Sequence, residues 1–304
     1  YLLAVGDFHS VAYILRENRV VLERARELLP EHRTTLERFP STLSEQEALG
    51  QLLQALDEAA VHPTEEELGE LFRELEPRAL TTVLSWLPRL TNERVRALLY
   101  ASATRLAQAY PDELVGALES DDEEVLIETV AMVKQLKLPP VVPALGRLFE
   151  RASAKVKRGA VDALAAIGTP GAMKELSKAL DDDDRDVRIG AVRVIGRQGY
   201  RQAFPTIEAV VAGKKLKGAN LTERTAFFET YGLLAGPTGL ETLAPMLEVR
   251  GLLRRKEDPE IRACAAMAIG KIGTPEARDV LNRVANDKDP LVRNAVNRAL
   301  EGAD

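Results

Sequence analysis

Few residues in this chain are of types that do covalent, metal or proton chemistry, and their spacing limits what they can do. The histidines are His9, His32 and His62, and the single cysteine is Cys264. Zinc sites draw on closely paired Cys and His ligands, and three scattered histidines with one distant thiol give no such set. No G-x-S-x-G elbow, phosphate-binding P-loop or dinucleotide fingerprint occurs. The run DDDDRD at 181–186 has the carboxylate density of a calcium loop, but it lacks the central Gly and closing Glu of an EF-hand and is expected to be a solvated turn that caps a helix. The sequence therefore offers no catalytic residue, no metal ligand set and no cofactor motif. Cys264 has no activating His in its own segment, so a reactive thiol is not expected there.

What stands out instead is charge. GKKLKGANLT at 213–222 and RGLLRRKED at 250–258 are basic runs in a chain of net charge −6. An acidic chain with pI near 5.4 disfavours general binding to nucleic acid, which depends on neutralising many phosphates. The 304 residues are 45% hydrophobic but only 5% aromatic, the balance of helices packed through small and aliphatic side chains. A lone cysteine excludes an internal disulfide and favours a reducing, cytoplasmic setting. No apolar run reaches the roughly 18 residues of a membrane-spanning helix. Because the chain starts at Tyr1 rather than Met, a preceding segment is an open expectation.

The elements that carry these residues repeat. EIRACAAMAIGKIG at 260–273 superimposes without gaps on KVKRGAVDALAAIG at 155–168 and DVRIGAVRVIGRQG at 186–199. From Ile261, apolar or small residues follow at Ala265, Ala266, Ile269 and Ile272, which is one helical face. Weaker copies place the anchors at 95, 125, 156, 187, 223, 261 and 292. A second amphipathic segment lies between copies, as in TPGAMKELSKALDD at 169–182 and TPEARDVLNRVAND at 274–287. Pro suits the first turn of that helix, Gly168 or Gly273 suits the end of the preceding one, and Asp186 or Asp289 is placed to cap the next. Residues 44–60 and 64–75 read as helices starting at Ser44 and Thr64, residues 7–38 as helical with no evident partner, and Trp86 as core.

The pattern D-x-x-[VI]-R…A-A-x-A-[LI]-G-x-[IL]-G, strong at 154–199 and 258–300, resembles the HEAT repeat, and more narrowly the short bacterial form also found in phycobilin lyases. The resemblance covers roughly 77–300. It implies an all-α, right-handed α-α superhelix of antiparallel helix pairs, with the second helix of each pair on the concave side. Residues 77–304 are then the solenoid and 1–76 an atypical N-terminal cap. Phe227, Phe228 and Tyr231 replace smaller residues and predict a bulkier layer at 220–236. The tandem His-Glu pairs of the deoxyhypusine hydroxylases in this family are absent. Arg96, Arg188, Arg224, Arg262 and Arg293 recur just after the anchor, where the family commonly bonds the Asp-bearing turn of an adjacent repeat.

Two partner-binding surfaces follow. The spacing lengthens between the two helices of a pair at both basic runs, so Lys214, Lys215, Lys217, Arg250, Arg254, Arg255 and Lys256 are expected to form a basic loop rim or to pair with the 181–186 turn. Helix geometry puts Arg158, Ile189, Arg193, Arg197, Met267 and Lys271 on the concave face, with Asp162, Gly190, Ala263 and Cys264 among them. The expectation is a non-catalytic scaffold for a protein or an acidic or phosphorylated peptide. The alternative is a lyase-like, cofactor-binding subunit, and nucleic-acid recognition is a distant third.

Overall fold

A computed structural model describes residues 6–24, 28–59, 63–213, 215–248 and 257–302, and these are helical with no strand among them. The chain forms two compact units, Tyr1–Gly159 and Ala160–Asp304.

In the first unit, α1 (Phe8–Arg24) packs on α4 (Glu65–Arg73) and on α2 (Pro30–Ser41), while α3 (Gln46–Glu58) packs on α5 (Leu80–Trp86). Then come α6 (Glu93–Ala109), α7 (Pro111–Leu118), α8 (Glu123–Leu136) and α9 (Val142–Arg151). First helices stack on first helices (α3, α5, α7, α9) and second on second (α4, α6, α8). The core is leucine-rich: Leu49, Leu52, Leu53 and Leu56 of α3 and Leu68 and Leu71 of α4 are wholly buried, each contributing about 1.5–3 kcal/mol. The partner that the sequence left open for 7–38 is α4, and α2 itself buries no side chain.

Local signals fixed some helix ends and misplaced others. Thr64 caps α4 through a reciprocal box, its hydroxyl accepting from Glu67 N at 3.3 Å while Glu67 accepts from Thr64 N at 2.8 Å. Thr64→Ala should cost about 1 kcal/mol in a denaturant melt, because Glu67 N loses its acceptor. Ser44 does not start α3; it lies in a short 3₁₀ turn and accepts from Glu76 N at 2.8 Å. Trp86, expected in the core, sits half-exposed at the end of α5 beside Gly50.

α10 (Ala154–Ile167) crosses from one unit into the other. The second unit continues with four pairs: α11 (Pro170–Lys178) and α12 (Arg185–Gln198), α13 (Phe204–Ala212) and α14 (Leu221–Ala235), α15 (Leu240–Leu247) and α16 (Pro259–Ile272), and α17 (Pro275–Val284) and α18 (Pro290–Glu301). Pro170 and Pro275 open their helices behind Thr169 and Thr274, whose hydroxyls accept from Ala172 N and Ala277 N. Gly168, Gly199 and Gly273 take positive φ at helix ends, as their positions predict. Asp289 caps α18 as expected, but α12 is capped by Asp184 rather than Asp186, which falls inside the first turn.

Successive second helices α12, α14, α16 and α18 are in much closer contact with one another than are the first helices of this unit. Closer spacing on one side of a stack puts that side on the inside of its curve. Small residues permit the approach: Gly232 lies directly against the Ala268 carbonyl, and Thr230 sits against Gly196 and donates to Val192 O at 3.0 Å. The layer at α14 is bulkier, as its sequence predicts, with Phe227, Phe228 and Tyr231 all buried and Tyr231 stacked on Phe204 at 5.4 Å between ring centroids. No helix among the described residues is long and apolar enough to cross a membrane.

Candidate functional site

The arginine that follows each anchor is structural in the second unit. Arg188 on α12 donates to the carbonyls of Asp182 and Asp183, at 2.6 and 3.0 Å, and to the Glu223 carboxylate on α14. Arg224 repeats the arrangement one layer on, donating to Leu216 O and Lys217 O at 3.0 Å and to Glu260 at 2.6 Å. Arg262 donates to Leu247 O at 3.0 Å and grips Asp287 with both terminal nitrogens, and Arg293 donates to Asp287 O at 2.9 Å. Each of the first three ties the turn of its own pair to a carboxylate of the next pair, so the bonds run through successive layers as a ladder. The bond to Glu223 raises the Arg188 pKa above its usual value. On α6, Arg96 is exposed and has no such partner among the described residues.

Four other cations of the second helices are different. Arg193 and Arg197 on α12, Lys271 on α16 and Arg298 on α18 are exposed, with no ion-pair partner among the described residues. Helices α14, α16 and α18 form an open cleft of about 510 Å³ lined by Leu221 and Thr225 of α14, Cys264 and Met267 of α16, and Leu291 and Asn294 of α18, with Arg298, alone of the four cations, and Glu301 at its edge. Leu221 and Leu291 remain 40% and 37% exposed at its mouth, and Leu233 on α14 is 45% exposed. Apolar side chains left in water beside unpaired charge are the features of a surface that gains by being covered.

Of the residues expected on this face, Arg193, Arg197 and Lys271 are exposed and Met267 lines the cleft. Ile189 is the correction: it is only 7% exposed, packed away among its neighbours, so it offers little surface for a contact. Arg158 and Asp162 on α10 are both already engaged in interactions within the chain. Arg298, Leu221 and Leu291 were not singled out from the sequence. Arg298 stands six residues after Val292, as Met267 stands after Ile261, and carrying that offset into α18 would have found it.

Cys264 reaches the cleft wall but is 1% exposed, and burial pushes its thiol up to about 11 despite a contact of 3.6 Å with the Thr225 hydroxyl. Its thiolate fraction near pH 8 is then about a hundredfold below that of a free cysteine. Iodoacetamide at that pH should label the native chain far more slowly than the urea-unfolded chain, as intact mass would show; equal rates would mean that the site is open.

Of the predicted loop rim, Lys214, Arg250, Arg254, Arg255 and Lys256 lie outside the described residues. Lys215 and Lys217 lie between α13 and α14, where the longer spacing placed them, and both are exposed. Lys215 bonds Asp181 at 2.8 Å, the local pairing with the acidic turn that the sequence allowed. With both partners in solvent, that pair contributes little to stability. Among the described residues no group of three or more His, Cys, Asp and Glu is arranged to hold a metal ion. His9 is exposed with Nδ1 at 2.5 Å from Glu67, and His32 is exposed on α2.

The profile of the HEAT repeats matches residues 111–187 and 240–302. No curated protein matches the sequence. Among solved structures, an engineered protein is similar at 18% identity over 94% of this chain and 88% of that one, with a TM-score of 0.36. Human deoxyhypusine hydroxylase in complex with glycerol is similar at 19% identity over 86% and 98%, with a TM-score of 0.31. A designed armadillo repeat protein is similar at 21% identity over 83% and 100%, with a TM-score of 0.28. None of these likenesses carries an activity over to this chain.

Proposed function

We propose, from the premise that residues 111–187 and 240–302 are HEAT repeats, that this chain is a non-catalytic scaffold that holds another protein on the inner face of its second unit. One observation carries the reading: on α12, α14, α16 and α18 the ladder arginines are satisfied, while Arg193, Arg197, Lys271 and Arg298 are exposed with no ion-pair partner among the described residues, and Arg298 borders a cleft edged by exposed leucines. A stack of helix pairs needs the first set to hold its layers together, but it gains nothing in stability from the second. Repeat stacks provide such extended surfaces without a reaction centre.

The loop rim is the weaker part of the reading, since Lys215 already has Asp181. Reversal of Lys214, Lys215, Arg254 and Arg255 to Glu tests it separately, and unchanged partner capture would reject the rim. For the inner face, the test is affinity capture with crosslinking, comparing the wild-type full chain with Thr225→Trp, which fills the cleft. The expected result is crosslinks at Lys271 and loss of the captured protein in the variant. Equal capture by a Thr225→Trp chain of unchanged helicity would reject the inner face as the binding surface. A small molecule that co-purifies in stoichiometric amount would instead favour a cofactor-binding subunit.

A further inference from the structure

Resting on that scaffold reading, we infer that the segment held on the inner face is an acidic amphipathic helix, its apolar side chains entering the cleft and its carboxylates meeting the unpaired cations. The positions of the charges define the complement. Arg193 on α12 and Arg298 on α18 occupy the same place in the repeat, six residues after Val187 and Val292, and Arg197 and Lys271 share the place four residues further on. Between the two cationic edges α14 presents Glu229 and Leu233.

Stacked helices are spaced by roughly 8–10 Å, and residues i and i+7 of a helix are separated by about 10.5 Å along its axis. A helix laid across α12, α14, α16 and α18 therefore brings one side chain of the same face to each layer every second turn. Glu229 sets the register: six residues after the anchors it repels a carboxylate at the α14 step, while Arg193 and Arg298 attract one at α12 and α18, Met267 offers an apolar contact at α16, and Lys271 and Arg197 lie one turn further along. The apolar part of the complement is equally specific. The cleft floor contains Thr225, Ala263 and Ala295, small enough to admit aliphatic side chains, and its mouth has Leu221 and Leu291 exposed to cover them. Burial of that apolar surface contributes affinity at about 25 cal/mol per Å², and the cations contribute encounter rate and choice of partner.

Nucleic acid fits this surface less well. Among the described residues, the large hydrophobic side chains left exposed in 160–304 are Leu221, Leu233 and Leu291, all aliphatic, so no aromatic platform is offered for stacking bases. Glu229 and Glu301 also lie among the cations and oppose a phosphate chain.

The probe is a fluorescein-labelled peptide of about 20 residues with Leu at i, i+4, i+7 and i+11 and Glu over the flanking positions. It is compared by anisotropy, on the full chain, with its Lys-for-Glu and Ser-for-Leu counterparts and with a single-stranded oligonucleotide. The acidic peptide should bind about tenfold or more tightly than any of the three, and raised salt should weaken it. Charge reversal by Arg193→Glu, Arg197→Glu, Lys271→Glu and Arg298→Glu together should invert the preference between Glu and Lys peptides. Met267→Ser should weaken both at unchanged helicity. Equal binding of the Glu and Lys peptides, or a preference that survives the reversal, overturns the inference, as does tighter binding of the oligonucleotide. A captured protein that Thr225→Trp releases but the acidic peptide cannot displace also overturns it and leaves the scaffold reading intact. Capture indifferent to Thr225→Trp removes the scaffold reading itself.

Discussion

Arg262→Ala should destabilise the protein by about 3–5 kcal/mol, the cost of breaking a buried ion pair from one side. The Arg262 side chain is 1% exposed and its partner Asp287 only 13%, so the carboxylate left behind cannot recover its hydration. The change also removes the bond that Leu247 O accepts from Arg262 Nε at 3.0 Å. At about 2–4 °C per kcal/mol, the melting temperature should fall by roughly 6–20 °C. The companion measurement separates the lost pair from the lost volume. Arg262→Met fills the space but strands the charge, whereas Arg262→Met with Asp287→Asn removes the charge and keeps the acceptor used by Asp289 N at 2.9 Å. The double variant should be more stable than Arg262→Met alone by about 1–2 kcal/mol or more. If Arg262→Ala melts within a degree or two of the wild type, the ladder is ornamental and the distinction between structural and spare cations is lost with it.

The second large effect is a methyl group. Gly232→Ala should cost about 3 kcal/mol or more, because the new Cβ would lie 2.2 Å from the Ala268 carbonyl oxygen and 3.0 Å from its carbon. Those atoms belong to the backbone of α16, so relief requires two packed helices to separate rather than one side chain to turn. The same substitution elsewhere should have the opposite sign. Gly69 in α4 and Gly116 in α7 have nothing within 4 Å of the added atom, and replacing either by Ala should stabilise by about 0.5–1 kcal/mol through helix propensity alone. Chemical denaturation of the three variants checks this. A stabilising Gly232→Ala would mean that α14 and α16 do not approach as closely as the inner side of the curve requires.

What the sequence by itself determined is what neighbours along the chain can decide. The helix pairs at 154–199 and 258–300, the Thr-Pro starts at 169–170 and 274–275, the positive φ of Gly168, Gly199 and Gly273, and the capping box at Thr64 depend on side chains and backbone within about one helical turn. Periodicity also identified the repeat, and a fixed offset from each anchor gives a fixed direction on its helix, while the placing of second helices on the inner side came from the resemblance to HEAT repeats. The layers themselves decided the rest, through contacts between residues a full repeat apart. Glu223 occupies an apolar anchor position and reads as a poor copy of the repeat, yet it is buried as the partner of Arg188 from the preceding layer. Ile189 and Arg193 look equivalent as candidates on one helical face, but tertiary packing buries the first and leaves the second in water. Arg188 and Arg193 differ in the same way: composition treats them alike, and only the placement of a carboxylate 35 residues downstream gives one a partner and leaves the other available. Pairing of charge is a property of distance in space, and in a repeat stack that distance is set by how the layers pack.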